Sequence, residues 1–296
     1  MNNKIITAIL VMLAAMGFFI WAFPIQTPSI NSAPEHAYSQ TITAHPRPLV
    51  AAADRLQQRY GKIVTYEETL LVWNGDLEPG DPGTSWSRSR TFTLPAETDP
   101  KRTPVLDLAL LTRVLNAYHT QTDGPRFKLS VSRWGLHIIP AQVRDVSGRF
   151  SPVVPVLDTS IEVPVAKRSP SQHLRALCEA LSVSSGSAVR ASCPYMDGYF
   201  APNEIFSPAM TERDKEQLLF SWGASNVSAR DALIDLLDGS STSMTWRLLC
   251  GSEGSTYTLN ILPIQVVVQG FAGQLTKQTL SYDRCKKCPP LPGKKK

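Results

Sequence analysis

Cysteine is the first side chain in this sequence able to do chemistry. The 296 residues include five: Cys178, Cys193, Cys250, Cys285 and Cys288. Cys285-Lys-Lys-Cys288 has the spacing of a redox pair or of half a zinc site. A redox pair wants a helix N-terminus to lower its thiol pKa. Pro289, Pro290 and Pro292 leave no helix to begin there. A tetrahedral zinc site needs two further ligands, and the sequence holds no second paired motif. The bland reading, a tail disulfide or loose thiols, therefore comes first. Cys178 falls on the core face of a helix, Cys193 near the end of the next strand, and Cys250 at the top of a hairpin. In an oxidising compartment a Cys193–Cys250 bridge would tie neighbouring strands. Cys285–Cys288 would close on itself, leaving Cys178 as a buried thiol.

Other reactive groups form no constellation. His36, His45, His119, His137 and His173 are scattered, with no i, i+4 pair to bind a metal. Ser182–Ser187 contains no nucleophile elbow, and Gly-rich phosphate loops are absent. No cofactor and no catalytic residue is expected. Asn226-Val-Ser228 matches a glycosylation sequon, but Ser228 reads as a helix cap. Trp73 and Trp86 flank a turn-rich loop, Asn74–Gly83, and are the candidate interaction surface. The net charge is +5, with three lysines at Lys294–Lys296. A nucleic-acid footprint is not expected from so local an excess.

The elements around these residues set their context. Ile5–Phe23 is an uncharged run long enough for a hydrocarbon core, with Lys4 before it and Pro24 after it. It reads as an uncleaved signal-anchor over residues 1–23, with a cleaved signal peptide as the alternative. The remainder is then expected outside the inner membrane, in the periplasm. Residues 24–47 are a proline-containing linker. Residues 48–140 form a first α+β module: Leu49, Ala52, Ala53 and Leu56 share a helical face, and Gly61 caps it. Lys62–Glu67 reads as a strand, Thr103-Pro104 as the next helix start, and 127–131 with 136–139 as a hairpin.

Residues 141–170, with four prolines, read as a linker that adds at most one edge strand. A second module, 171–268, repeats the first. Leu174, Leu177, Cys178 and Leu181 keep the spacing of the first helix, and Gly186 stands where Gly61 does. Ser228 caps a helix carrying Leu233, Leu236 and Leu237. Met244, Trp246 and Leu248 alternate with Thr245 and Arg247, and Ile261-Leu262-Pro263 echoes Ile138-Ile139-Pro140. A basic tail with cysteine and proline, 269–296, follows. The fold class is α+β: two small tandem modules of βαβ/αββ type after an N-terminal membrane helix.

Ser228-Ala-Arg-Asp231-Ala-Leu233-Ile-Asp-Leu236-Leu237-Asp-Gly239, followed by Thr245-Trp246-Arg247, resembles the short N-terminal domain of secretins and TonB-dependent outer-membrane receptors. The copy at 49–140 departs from that pattern at Pro104 and lacks the closing glycine. The resemblance implies a periplasmic domain that binds other proteins. No barrel-length series of strands follows, so a pore is not implied. The expectation is a non-enzymatic envelope scaffold, part of a secretion, pilus or transport assembly. Its partners would be other envelope proteins, and residues 5–23 would hold it to the membrane. The alternatives are an exported thiol-redox or other enzyme using Cys285 and Cys288, and a small-ligand or glycan-binding protein.

Overall fold

Pro48 fixes the backbone for a first helical turn, and Gly61 ends that helix at φ 61°, donating its N–H to the Gln57 carbonyl. The computed structural model in which this is seen describes residues 41–79, 85–95, 106–193, 196–200, 218–251, 256–269 and 274–279. In chain order the first half contains β1 (Thr41–His45), α1 (Pro48–Tyr60), β2 (Val64–Glu67), β3 (Leu77–Pro79), β4 (Ser85–Ser87), β5 (Arg90–Thr93), α2 (Leu108–Gln121), β6 (Arg126–Val131), β7 (Leu136–Arg144) and β8 (Phe150–Pro152). The second half contains β9 (Ser160–Arg168), α3 (Pro170–Ser185), β10 (Ala188–Ser192), β11 (Phe220–Ser228), α4 (Ala229–Leu237), β12 (Met244–Cys250) and β13 (Thr256–Pro263). A closing hairpin, β14 (Gln265–Gln269) and β15 (Leu275–Thr279), runs beside α1. The fold is mixed α and β, with four α-helices among the described residues.

The helix starts follow from side-chain caps. Asp107 accepts from the Leu110 N–H at 2.8 Å and opens α2. The helix thus starts at Leu108 and not at Thr103-Pro104 as expected from sequence, because Asp107 supplies the cap. Ser169 and Gln172 form a reciprocal capping box at α3. Ser228 accepts from the Asp231 N–H at α4. Gly186, at φ 70°, ends α3 as Gly61 ends α1.

Strand pairing repeats between the halves. β1 pairs β5 and β9 pairs β11, all antiparallel. β2 runs parallel to β7, and β10 parallel to β13. β6–β7 and β12–β13 are antiparallel hairpins. The matching pattern of pairing therefore begins one strand before the helices, at Thr41 and Ser160. Both β1 and β9 fall in stretches read from sequence as linkers. Pro164 is compatible with β9 because that strand belongs to a two-stranded ribbon and has an unpaired edge.

The halves share one sheet, ordered β10-β13-β12-β2-β7-β6, with β8 also on β7. β12 of the second half lies parallel to β2 of the first, Arg247 opposite Tyr66 and Leu248 opposite Glu67. Because these two strands are parallel, counterpart strands in the two halves point in opposite directions. Alternate side chains then serve different cores. Val64 and Tyr66 enter the first core with Leu49, Leu111 and Phe127. Trp246 and Leu248 enter the second with Leu174, Leu233 and Ile261. Arg247, pointing the other way, reaches α1. The two helix pairs thus cover opposite faces of the shared sheet. The anchor proposed for residues 5–23 lies outside the described residues, among which no helix is long and apolar enough to cross a membrane.

Candidate functional site

The densest chemistry lies along the seam between β2 and β12. Glu67 at the end of β2 is fully buried and takes two hydrogen bonds from Arg230, Nε at 2.8 Å and Nη2 at 2.7 Å. Arg230 sits in the first turn of α4 and also donates to Asp158. Burial drives the Glu67 pKa up, and the Arg230 bonds oppose that rise. Its neighbour Glu68 accepts from Arg47 Nε at 3.0 and 3.2 Å and from the Cys250 N–H at 2.8 Å. Arg47 also donates to the Cys250 carbonyl at 2.8 Å. Burial raises the Glu68 pKa as well, against the pull of Arg47.

Arg247 is the reciprocal contact from the second half. Its Nη2 meets Asp54 of α1 at 2.6 Å, and its Nη1 donates to the Val64 carbonyl at 2.7 Å. Thr245 Oγ1 donates to the same carbonyl at 2.6 Å. Burial lowers the Arg247 pKa, and Asp54 counters it. At the hairpin tip of the first half, Trp134 crosses into the second core and donates its indole N–H to the Met244 carbonyl at 3.1 Å. His137 bridges Thr65 at 2.8 Å and Ser132 at 2.7 Å, with its ring stacked on Trp246. Burial first, then the charge of Arg230, pulls its pKa down to about 4.

This arrangement holds two halves in register rather than presenting a base or nucleophile. Glu67 is gripped bidentately, and Glu68 is held by Arg47 and a backbone amide. Buried ion pairs are costly to desolvate, and their best-attested use is to fix register. A cavity beside Arg47, Tyr66, Glu68, Arg90, Tyr118 and Phe127 has a volume of ≈ 10 Å³, about room for one water. Among the described residues no cluster of three or more His, Cys, Asp or Glu side chains could hold a metal ion.

The residues singled out from sequence fall elsewhere. Cys193 and Cys250 do not come together. β10 and β12 flank β13, so two strand spacings, about 10 Å, separate them. Cys250 lies opposite Tyr257 at one end of β13, whereas Cys193 follows Ser192, which pairs with Asn260 further along. A disulfide needs Cα atoms within about 7 Å, so the expected bridge is ruled out by topology. Cys178 is buried and its thiol is pushed up to about 12, first by burial and then by Glu179. Cys285 and Cys288 lie outside the described residues.

Trp73 is not a free stacking platform. The Arg144 guanidinium lies 4.4 Å from its ring centroid. Gly75 and Gly148 press against the same ring, leaving no room for a Cβ at Gly75, which would fall 2.1 Å from it. The backbone of Trp86 pairs with Glu78 in the β3–β4 ribbon. No local motif marks the seam residues Arg47, Asp54, Glu67, Glu68, Arg230 and Arg247. The available signal was charge inside strand-like runs: Glu67-Glu68 closing KIVTYEE, and Arg247 between Trp246 and Leu248.

Compared with protein-family models, curated proteins and solved structures, this chain matches none.

Proposed function

We propose that the chain is a non-enzymatic scaffold of the cell envelope, built from two copies of one small module locked edge to edge. The observation that carries this reading is the seam. The buried carboxylates and guanidinium groups described there bond to one another across two halves that share a sheet and repeat a topology. Among the described residues the shared sheet ends in open strand edges at β10 and β6, surfaces suited to protein contact by strand addition. The apolar run Ile5–Phe23 would anchor it in the inner membrane with the folded part in the periplasm. Resemblance of the 228–247 stretch to the short N-terminal domain of secretins and TonB-dependent receptors points to other envelope proteins as partners.

Crosslinking in intact cells followed by purification of the full chain tests this. Specific envelope proteins should be recovered with the wild type and with a Cys285→Ser/Cys288→Ser variant alike. Recovery that disappears in the double-serine variant would instead favour the thiol chemistry of the tail.

A further inference from the structure

The chain carries its own template for what an open edge accepts. At the seam, the β12–α4 edge of the second half receives β2 and α1 of the first. The first half has the matching edge, β6 with α2, and the second half has the matching acceptor, β10 with α3. Among the described residues both end the sheet order.

Register gives the correspondence residue by residue. Phe127 lies opposite Pro140 and Met244 opposite Pro263; Leu129 lies opposite Ile138 and Trp246 opposite Ile261. Lys128 therefore stands where Thr245 does, and Val131 where Leu248 does. On the helices, Leu111, Val114 and Leu115 match Leu233, Leu236 and Leu237, which puts Leu108 in the place of Arg230. Arg230 is covered at the seam, at 9% exposure, and Leu248 lies in the second core at 0%, whereas Val131 and Leu108 are 59% and 47% exposed. The open edge thus shows two large apolar side chains at positions whose counterparts are buried.

Charge follows the same pattern. Across the seam, Arg247 meets Asp54 of α1. Leu49, Ala52, Ala53 and Leu56 of α1 match Leu174, Leu177, Cys178 and Leu181 of α3, so Glu179 takes the place of Asp54. Glu179 is exposed, and so is Lys128. Lys128 lies on the strand face corresponding to that of Arg247, two residues earlier, a displacement of about 7 Å along a strand that a lysine stem can span.

We propose that the β6–α2 edge of one chain receives the β10–α3 edge of a second copy, in the geometry of the internal seam. Lys128 faces Glu179 of the second copy, and Val131 and Leu108 become covered. The contact is heterologous: the donating and accepting edges are different surfaces. Each added copy leaves one of each open, so assembly runs past the dimer. This names a partner for the open edges and rests on reading them as contact surfaces.

Sedimentation velocity of the full chain in detergent micelles tests it across a hundredfold range of concentration. Species larger than a dimer should grow with concentration. Lys128→Glu and Val131→Lys should each weaken association at least tenfold. Both positions are exposed, so the thermal melt by circular dichroism should stay unchanged. Glu179→Lys combined with Lys128→Glu should restore association. A wild type that stays monomeric overturns the proposal, as does association indifferent to these substitutions or ending at a dimer. If the chain is monomeric while Val131→Lys still abolishes crosslinking to other envelope proteins, self-docking fails and the scaffold reading stands.

Discussion

Arg247 and Asp54 are 193 positions apart in sequence and 2.6 Å apart in space. Their pairing ties the edge strand of one half to the first helix of the other. Arg247 is buried to 2% exposure, whereas the Asp54 side chain is 44% exposed. The two partners are therefore unequal. Arg247→Ala removes donors to Val64, Thr245 and Trp246 as well as to Asp54, and breaking a buried pair of this kind costs about 3–5 kcal/mol. Asp54→Asn keeps a hydrogen-bond acceptor at the rim and should cost about 1 kcal/mol or less. Urea unfolding of the two variants measures the difference. Equal losses would mean that the ion pair, and not the carbonyl contacts of Arg247, holds the seam.

Trp134 offers a second test, because it is contributed by one half and buried in the other. Trp134→Ala should destabilise the protein by about 3–5 kcal/mol, with the loss felt in both halves. Gly135 beside it allows the approach: a Cβ there would fall 2.6 Å from the Ile63 carbonyl oxygen. Gly135→Ala should shift the strand start and cost about 1–3 kcal/mol. Hydrogen exchange should show faster opening at β2 and β12 in both variants. Exchange confined to the hairpin tip would show that the halves do not depend on this contact.

The apolar faces of α1 and α3, the glycines that end them and the two hairpins were legible from sequence, since each depends on local spacing and turn chemistry. The seam was not. Thr245 and Arg247 alternate with Met244, Trp246 and Leu248, and such alternation ordinarily marks a strand with one face in water. Here the second face is covered by the helices of the other half, a fact held only in long-range pairing. β1 and β9 were hidden for a related reason. They belong to two-stranded ribbons, where prolines and polar residues are tolerated, so their composition reads as linker. The matching helix ends are visible in Gly61 and Gly186, but not that the two halves merge into one sheet.

His137 sets an acid limit on that sheet. The groups facing it are Thr65 of β2, Ser132 of the hairpin tip and Trp246 of β12, with Arg230 and Asp231 of α4 acting through space. Its folded pKa of about 4 lies below the usual histidine value of about 6.5. The neutral ring is favoured in the folded state, so its contribution is complete above pH 6.5 and is lost as pH falls towards 4. The full effect is about 3 kcal/mol. Glu67 and Glu68 have raised pKa values and work in the opposite sense, their protonation favouring the fold as pH falls. His119, also pulled down to about 4 by burial and Arg126, shares the window. Comparing wild type with His137→Gln therefore isolates the one ring. Urea midpoints between pH 7 and pH 4.5 should fall more steeply for the wild type. Parallel slopes would show that His137 titrates normally.

Thiol labelling separates the topology seen here from a strand-tying disulfide. Cys178 and Cys250 are buried, and burial, with Glu179 and Glu68 respectively, pushes their pKa values up to about 12 and about 11. At pH 8 the thiolate is then about one part in ten thousand at Cys178 and one in a thousand at Cys250, against roughly a quarter for an ordinary cysteine. A maleimide should therefore modify both at least a hundredfold more slowly in the native protein than in urea. A Cys193→Ser variant should leave the Cys250 rate unchanged, since β13 stands between the two residues. A peptide map joining Cys193 to Cys250, or a jump in Cys250 labelling in that variant, would require β10 and β12 to be neighbours and would overturn the strand order.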